Sequence, residues 1–186
     1  ANLVLVFTPP AVNVNLAVAS GQNVYAGTAA APDPGTVWNQ VTESALRSAP
    51  DRTLALVDSD GLSSSIGFTS SSFADPGSAL FANNGGGNAL QATYWHSGAG
   101  NETPPFGFTN LDPAVTYEVY VYGIATDFGL GYTQRINRVG GESQALNQVV
   151  NTGFPILHED YALFRDITAV TEVMFTAGEL GNGAVF

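Results

Sequence analysis

An all-β sandwich or barrel is the fold class that this sequence predicts, and three observations carry the prediction. Segments in which apolar and polar residues alternate recur at roughly ten-residue spacing, the period-2 signature of half-buried strands. Clusters of Gly, Pro, Asn and Asp separate them, as many tight turns require. Helical character is confined to one short stretch, Trp38 to Arg47. The chain has 186 residues, an ordinary size for one all-β domain with a single core, and no internal repeat or linker divides it.

The elements follow in order. Leu3-Val4-Leu5-Val6-Phe7 is a bare apolar run, with Leu3, Leu5 and Phe7 on one side and Val4 and Val6 on the other. A strand with two apolar faces calls for burial on both. Thr8-Pro9-Pro10 follows at once. Proline cannot donate to a ladder and holds the backbone extended, so these residues are expected to act as a stiff leash. Val12, Val14, Leu16 and Val18 alternate with Asn13, Asn15 and Ala17, which predicts a strand. Further strands are expected at Arg52 to Asp58, Ser65 to Phe68 and Ala89 to Trp95. Thr116 to Tyr122 is the clearest: Tyr117, Val119 and Val121 face one way, and Glu118, Tyr120 and Tyr122 the other. Aromatic and β-branched surface on both faces predicts a central strand. Tyr132 to Val139, Gln144 to Val150, Tyr161 to Ile167 and Thr171 to Thr176 complete the series.

Composition narrows the function. Net charge is −11, all five basic residues are Arg, and no basic cluster exists, which argues against nucleic acid and anionic membranes as partners. Without Cys, thiolate metal sites, disulfides and thiol catalysis are excluded. No run reaches the ~20 apolar residues of a membrane-spanning helix. The two histidines, His96 and His158, stand in unrelated contexts, and neither a Gly-x-Ser-x-Gly elbow nor a phosphate-binding glycine loop is present. A non-enzymatic role is expected.

Val12-Asn-Val-Asn-Leu16, Tyr25-Ala-Gly27 and Ala31-Pro-Asp-Pro-Gly-Thr-Val-Trp-Asn39 resemble the opening of jelly-roll, galactose-binding-like domains. These occur in secreted and surface proteins of environmental bacteria, many with a C-terminal sorting signal. Leu56-Val-Asp-Ser-Asp-Gly61 is similar to that family's second strand and turn, and Phe108 to Gly123 to its central strand and lead-in turn. Gly181-Asn-Gly-Ala-Val-Phe186 resembles the start of its last strand. The resemblance implies a jelly-roll sandwich over residues 11–186 and an extracellular or cell-surface location. Residues 1–10 have no counterpart in the family. This added strand resembles the N-terminal strand of fibre subunits that exchange donor strands.

Three candidate sites result. The first is assembly: Leu3, Val4, Leu5, Val6 and Phe7 would insert into an identical subunit and complete its sheet beside a short C-terminal strand, Ala184, Val185 and Phe186, in head-to-tail fashion. The expected function is thus a structural subunit of an extracellular filament or surface assembly. The second is a calcium site at Asp58 and Asp60, since Asp58-Ser-Asp-Gly61 offers two carboxylates beside a turn glycine; the other acidic positions of an EF-hand loop are missing, which favours a plain solvated turn. The third is carbohydrate recognition by Tyr94 and Trp95, aromatic platforms ahead of a Gly- and Asn-rich loop, which would make the chain a secreted glycan-binding module.

Overall fold

A computed structural model describes residues 2–6, 11–17, 37–71, 81–84, 93–96, 105–122, 133–147, 157–158 and 161–179. The expected all-β sandwich is what the chain forms. Its first layer is a five-stranded sheet in the order β12-β9-β1-β2-β3. The strands are β1 (Asn2–Val6), β2 (Val12–Ala17), β3 (Asn39–Thr42), β9 (Tyr117–Tyr122) and β12 (Tyr161–Ile167). All neighbours are antiparallel except β2 and β3, which run parallel. The second layer is a six-stranded antiparallel sheet, β11-β10-β13-β8-β5-β4. It comprises β4 (Thr53–Val57), β5 (Ser63–Ser70), β8 (Phe106–Thr109), β10 (Thr133–Arg138), β11 (Ser143–Asn147) and β13 (Glu172–Glu179). A separate hairpin, β6 (Phe81–Asn84) and β7 (Thr93–His96), lies beside β2.

The core fills the space between the two large sheets. Leu3, Leu5, Val12, Val14, Leu16, Tyr117, Val119 and Val121 come from one layer; Phe68, Phe106, Phe108, Ile136 and Phe175 come from the other. Phe164 and Phe175 meet across the layers with ring centroids 4.9 Å apart, and Phe68 packs edge-on to Phe108 at 6.0 Å. The expected split of β9 holds: Tyr117, Val119 and Val121 face this core, whereas Tyr120 and Tyr122 belong to a second apolar cluster with Val4, Ala11 and Trp38. Because a strand alternates its faces, burial on both sides calls for apolar or aromatic residues on each, which β1 supplies at Leu3, Val4 and Leu5 and β9 from Val119 to Tyr122.

Trp38 to Arg47 divides in two. Its first half is β3, and only Glu43–Ser48 is helical (α1). Thr42 ends the strand and caps the helix, its Oγ1 accepting from the Ala45 amide at 3.1 Å. Strand β8, not expected from the sequence, runs into the expected lead-in turn, which spans residues 110–116 ahead of β9. Gly107 stands between the two phenylalanines of β8 because a Cβ there would collide with the Val173 carbonyl of neighbouring β13.

Tyr117 anchors the start of β9. Its hydroxyl accepts from the Asp112 amide at 2.8 Å and donates to the Asp112 carbonyl at 3.2 Å, the arrangement known as a tyrosine corner in β-sandwiches. Burial of the ring raises the Tyr117 pKa above its ordinary value.

Candidate functional site: the slot of the first strand

Strand β1 is the middle strand of the five-stranded sheet. Its register runs Asn2 to Val6 against Tyr122 to Glu118 on one side, and Leu3 to Leu5 against Val14 to Val12 on the other. Leu3, Val4 and Leu5 are 0% exposed, so the two apolar faces deduced from the sequence are both covered. Leu3 and Leu5 enter the main core. Val4 enters the outer cluster, where Tyr120 and Tyr122 lie 5.8 and 5.7 Å from the ring of Tyr161. The strand expected to project from its own domain lies, in the single chain, within its own sheet. It reaches β2 through residues 7–11.

The slot that β1 fills is bounded by β9 and β2, not by a C-terminal strand. Among the described residues the last strand, β13, belongs to the opposite sheet. Phe7 and the expected acceptor residues Ala184, Val185 and Phe186 lie outside the described residues.

A side-chain amide bridges the two sheets at each seam of the sandwich. At one seam Asn39 of β3 accepts from the Val57 amide at 2.8 Å and donates to the Val57 carbonyl at 2.7 Å. At the other, Gln144 of β11 accepts from the Leu163 amide at 3.0 Å and donates to the Leu163 carbonyl at 2.6 Å. Each fork joins the edge strand of one sheet to the edge strand of the other, β3 to β4 and β11 to β12. A primary amide presents one donor and one acceptor side by side, so it can satisfy both groups of an edge residue as a neighbouring strand would. Those groups are then occupied and cannot recruit an outside strand. Nothing in the spacing of Asn39 or Gln144 signals this role, because each partner belongs to the other sheet.

The outer face also carries a polar group with a shifted pKa. The Tyr120 hydroxyl donates to Glu118 Oε2 at 3.1 Å, and Arg165 sits 3.6 Å from the other oxygen of the same carboxylate. Burial first, and then the Glu118 charge, push the Tyr120 pKa up to about 12.

The turn carrying Asp58 and Asp60 is built by Asp58 itself. Its Oδ1 accepts from the amides of Asp60 and Leu62, each at 2.9 Å, and its side chain is largely buried. Asp60 is exposed on the same turn. Gly61 takes φ +83°, which explains the glycine. Among the described residues no three His, Cys, Asp or Glu side chains come together as a metal group. The Ser59 amide donates to the Ala11 carbonyl at 2.7 Å and so ties this turn to the beginning of β2. Tyr94 and Trp95 fall on β7, opposite Asn83 and Ala82 of β6; their side chains lie outside the described residues.

No protein-family model, curated protein or solved structure matches the chain. Among the described residues no helix is long and apolar enough to cross a membrane.

Proposed function

We propose that this chain is a structural subunit of an extracellular filament or surface assembly whose copies are joined by exchange of β1. One observation carries the reading: the middle strand of a sheet, buried on both faces, is a short segment joined in sequence to the next strand by residues 7–11. A strand supplied by a second copy makes the same ladder and fills the same pockets, so exchange conserves the contacts within the slot. The amide forks favour this route over lateral strand addition, because they occupy groups on the outer edges. The extracellular setting rests on the resemblance of residues 11–186 to secreted and surface jelly-roll domains.

The destination of β1 can be read with one disulfide. Val6 and Glu118 are Cα partners across β1 and β9. Antiparallel partners stand about 4.5–5.5 Å apart, within the range a disulfide spans. The chain has no Cys, so a Val6→Cys, Glu118→Cys variant carries only the two introduced thiols, and the two single-Cys variants control for bonds between like positions. Oxidised after assembly and run on a non-reducing gel, it is expected to give covalent dimers or a ladder. Assembled material yielding only monomers with an internal disulfide would refute exchange.

A further inference from the structure

We infer that the end of the sandwich from which β1 departs, the Val6 end, is a docking surface for the same end of a second copy; the inference rests on the exchange of β1 proposed above. The length of the connection carries it. Val6 closes β1, and Ala11 is held at the start of β2 through its bond to Ser59. Five Cα steps separate them, which span at most about 17 Å. When β1 of a donor lies in an acceptor's slot, the donor's Ala11 is therefore within about 17 Å of the acceptor's strand terminus. Because β2 runs antiparallel to β1, Ala11 sits at the donor's own Val6 end. The two bodies are forced together by like ends.

The surface at that end is suited to contact. The registers place the Asp58–Leu62 turn, the Arg138–Glu142 turn and the Thr168–Thr171 turn there together. Among the described residues three large hydrophobic side chains are exposed: Leu62 at 66%, Val139 at 55% and Leu157 at 39%. Leu62 and Val139 lie on these turns, whereas Leu157 bridges to Tyr161 at the opposite, Asn2 end. An open cleft of about 420 Å³ lies between the latter two turns, with Ile167 and Val173 among its lining and Arg138, Asp166 and Glu172 as its charged groups. The exposed apolar side chains of Leu62 and Val139, the second of them at the rim of this mixed polar and apolar cleft, are surface that a second copy can cover.

The head-to-tail arrangement expected from the sequence becomes an end-to-like-end arrangement in this geometry. A reciprocal exchange closes a two-fold pair; a one-way exchange lines these ends up along one axis.

The test uses a Leu62→Glu, Val139→Glu double variant of the full chain, with Leu157→Glu as the control. Both turn positions are exposed, so the thermal unfolding of the monomer should match that of the wild type. The concentration at half-assembly, read by sedimentation velocity, is expected to rise at least tenfold in the double variant and to stay within twofold in the control. Both are also made in the Val6→Cys, Glu118→Cys background. Assembly of the double variant at the wild-type concentration, with the inter-chain disulfide still forming, overturns the docking surface and leaves strand exchange standing. Absence of the inter-chain disulfide in the parent chain removes both.

Discussion

Leu5→Ala separates what holds β1 in place from what joins copies together. Leu5 is fully buried in the main core and pairs with Val119 on one side and Val12 on the other. Truncating a buried leucine costs 2–5 kcal/mol, and a middle strand enclosed on both faces has little room to collapse around the gap, so about 3 kcal/mol is expected. A urea titration of the monomer should show this as a lower midpoint with an unchanged slope.

The consequence for assembly is less direct. The slot contacts are identical whether β1 comes from the same chain or from another, so Leu5→Ala weakens both states equally. The equilibrium between them is expected to stay within about threefold of the wild type. The rate is not protected in this way, because β1 must leave its slot before it can enter another. Removing about 3 kcal/mol from the state that is left behind accelerates departure roughly 100-fold. Subunit mixing measures this: two populations carrying different dyes on a Ser48→Cys variant are combined, and energy transfer is followed over time. If stability falls by about 3 kcal/mol while mixing stays within threefold of the wild-type rate, β1 does not leave its slot in the slow step and the reasoning fails.

Four other outcomes are expected. Tyr117→Phe leaves the Asp112 amide without its hydroxyl partner and should cost about 1–3 kcal/mol, read as a lower urea midpoint. Gln144→Leu removes both bonds to Leu163; stability should fall by a similar ~1–3 kcal/mol, and the freed β12 edge should add an association that persists when residues 1–10 are deleted, visible by sedimentation. Folded Tyr120 resists ionisation up to about 12 whereas the unfolded side chain ionises near 10, so its contribution is intact below pH 10 and lost as pH climbs toward 12. Solvent screening holds that loss to about 1 kcal/mol, measurable as a falling melting temperature across this interval that is smaller in Tyr120→Phe, where the raised pKa values of Tyr117 and Tyr161 still contribute. Assembly should strengthen with salt, because subunits of net charge −11 repel; raising sodium chloride from 20 to 500 mM should lower the half-assembly concentration.

The sandwich could be read from the sequence where strands signal by period alone. β2, β9 and β12 lie where their alternation placed them, and the turn at Asp58 to Gly61 lies where its composition placed it. β3 was hidden because Asn39-Gln-Val-Thr42 runs directly into a helix, and four residues are too few to set a period. β8 was hidden because Gly107, which the neighbouring backbone requires, interrupts an otherwise apolar strand. For the candidate site, the two apolar faces of β1 were legible, but its neighbours were not. Pairing with β9 joins residues more than a hundred positions apart, and no local pattern encodes that partner. The forks at Asn39 and Gln144 were invisible for the same reason: an amide at a strand end resembles any turn-forming residue until the facing sheet is in place.

In the proposed assembly, bridged seams and an exchanged middle strand would divide the work between two parts of the molecule. A sheet that grew at its edges would need free groups there, and at the two seams amide side chains already occupy those of Val57 on β4 and Leu163 on β12. In the middle strand, the large burial of Leu3, Val4 and Leu5 is conserved on exchange, so it sets a barrier and cannot by itself favour association. A net driving force has to come from surface that is exposed in the single chain and covered in the pair. The short connection selects the Val6 end for that role, where Leu62 and Val139 stand exposed. On the proposed reading, slow, durable joining and a tunable affinity would be encoded separately, the first in β1 and the second in the turns beside it. A variant altered only in the turns should change how much assembles, and a variant altered only in β1 should change how fast.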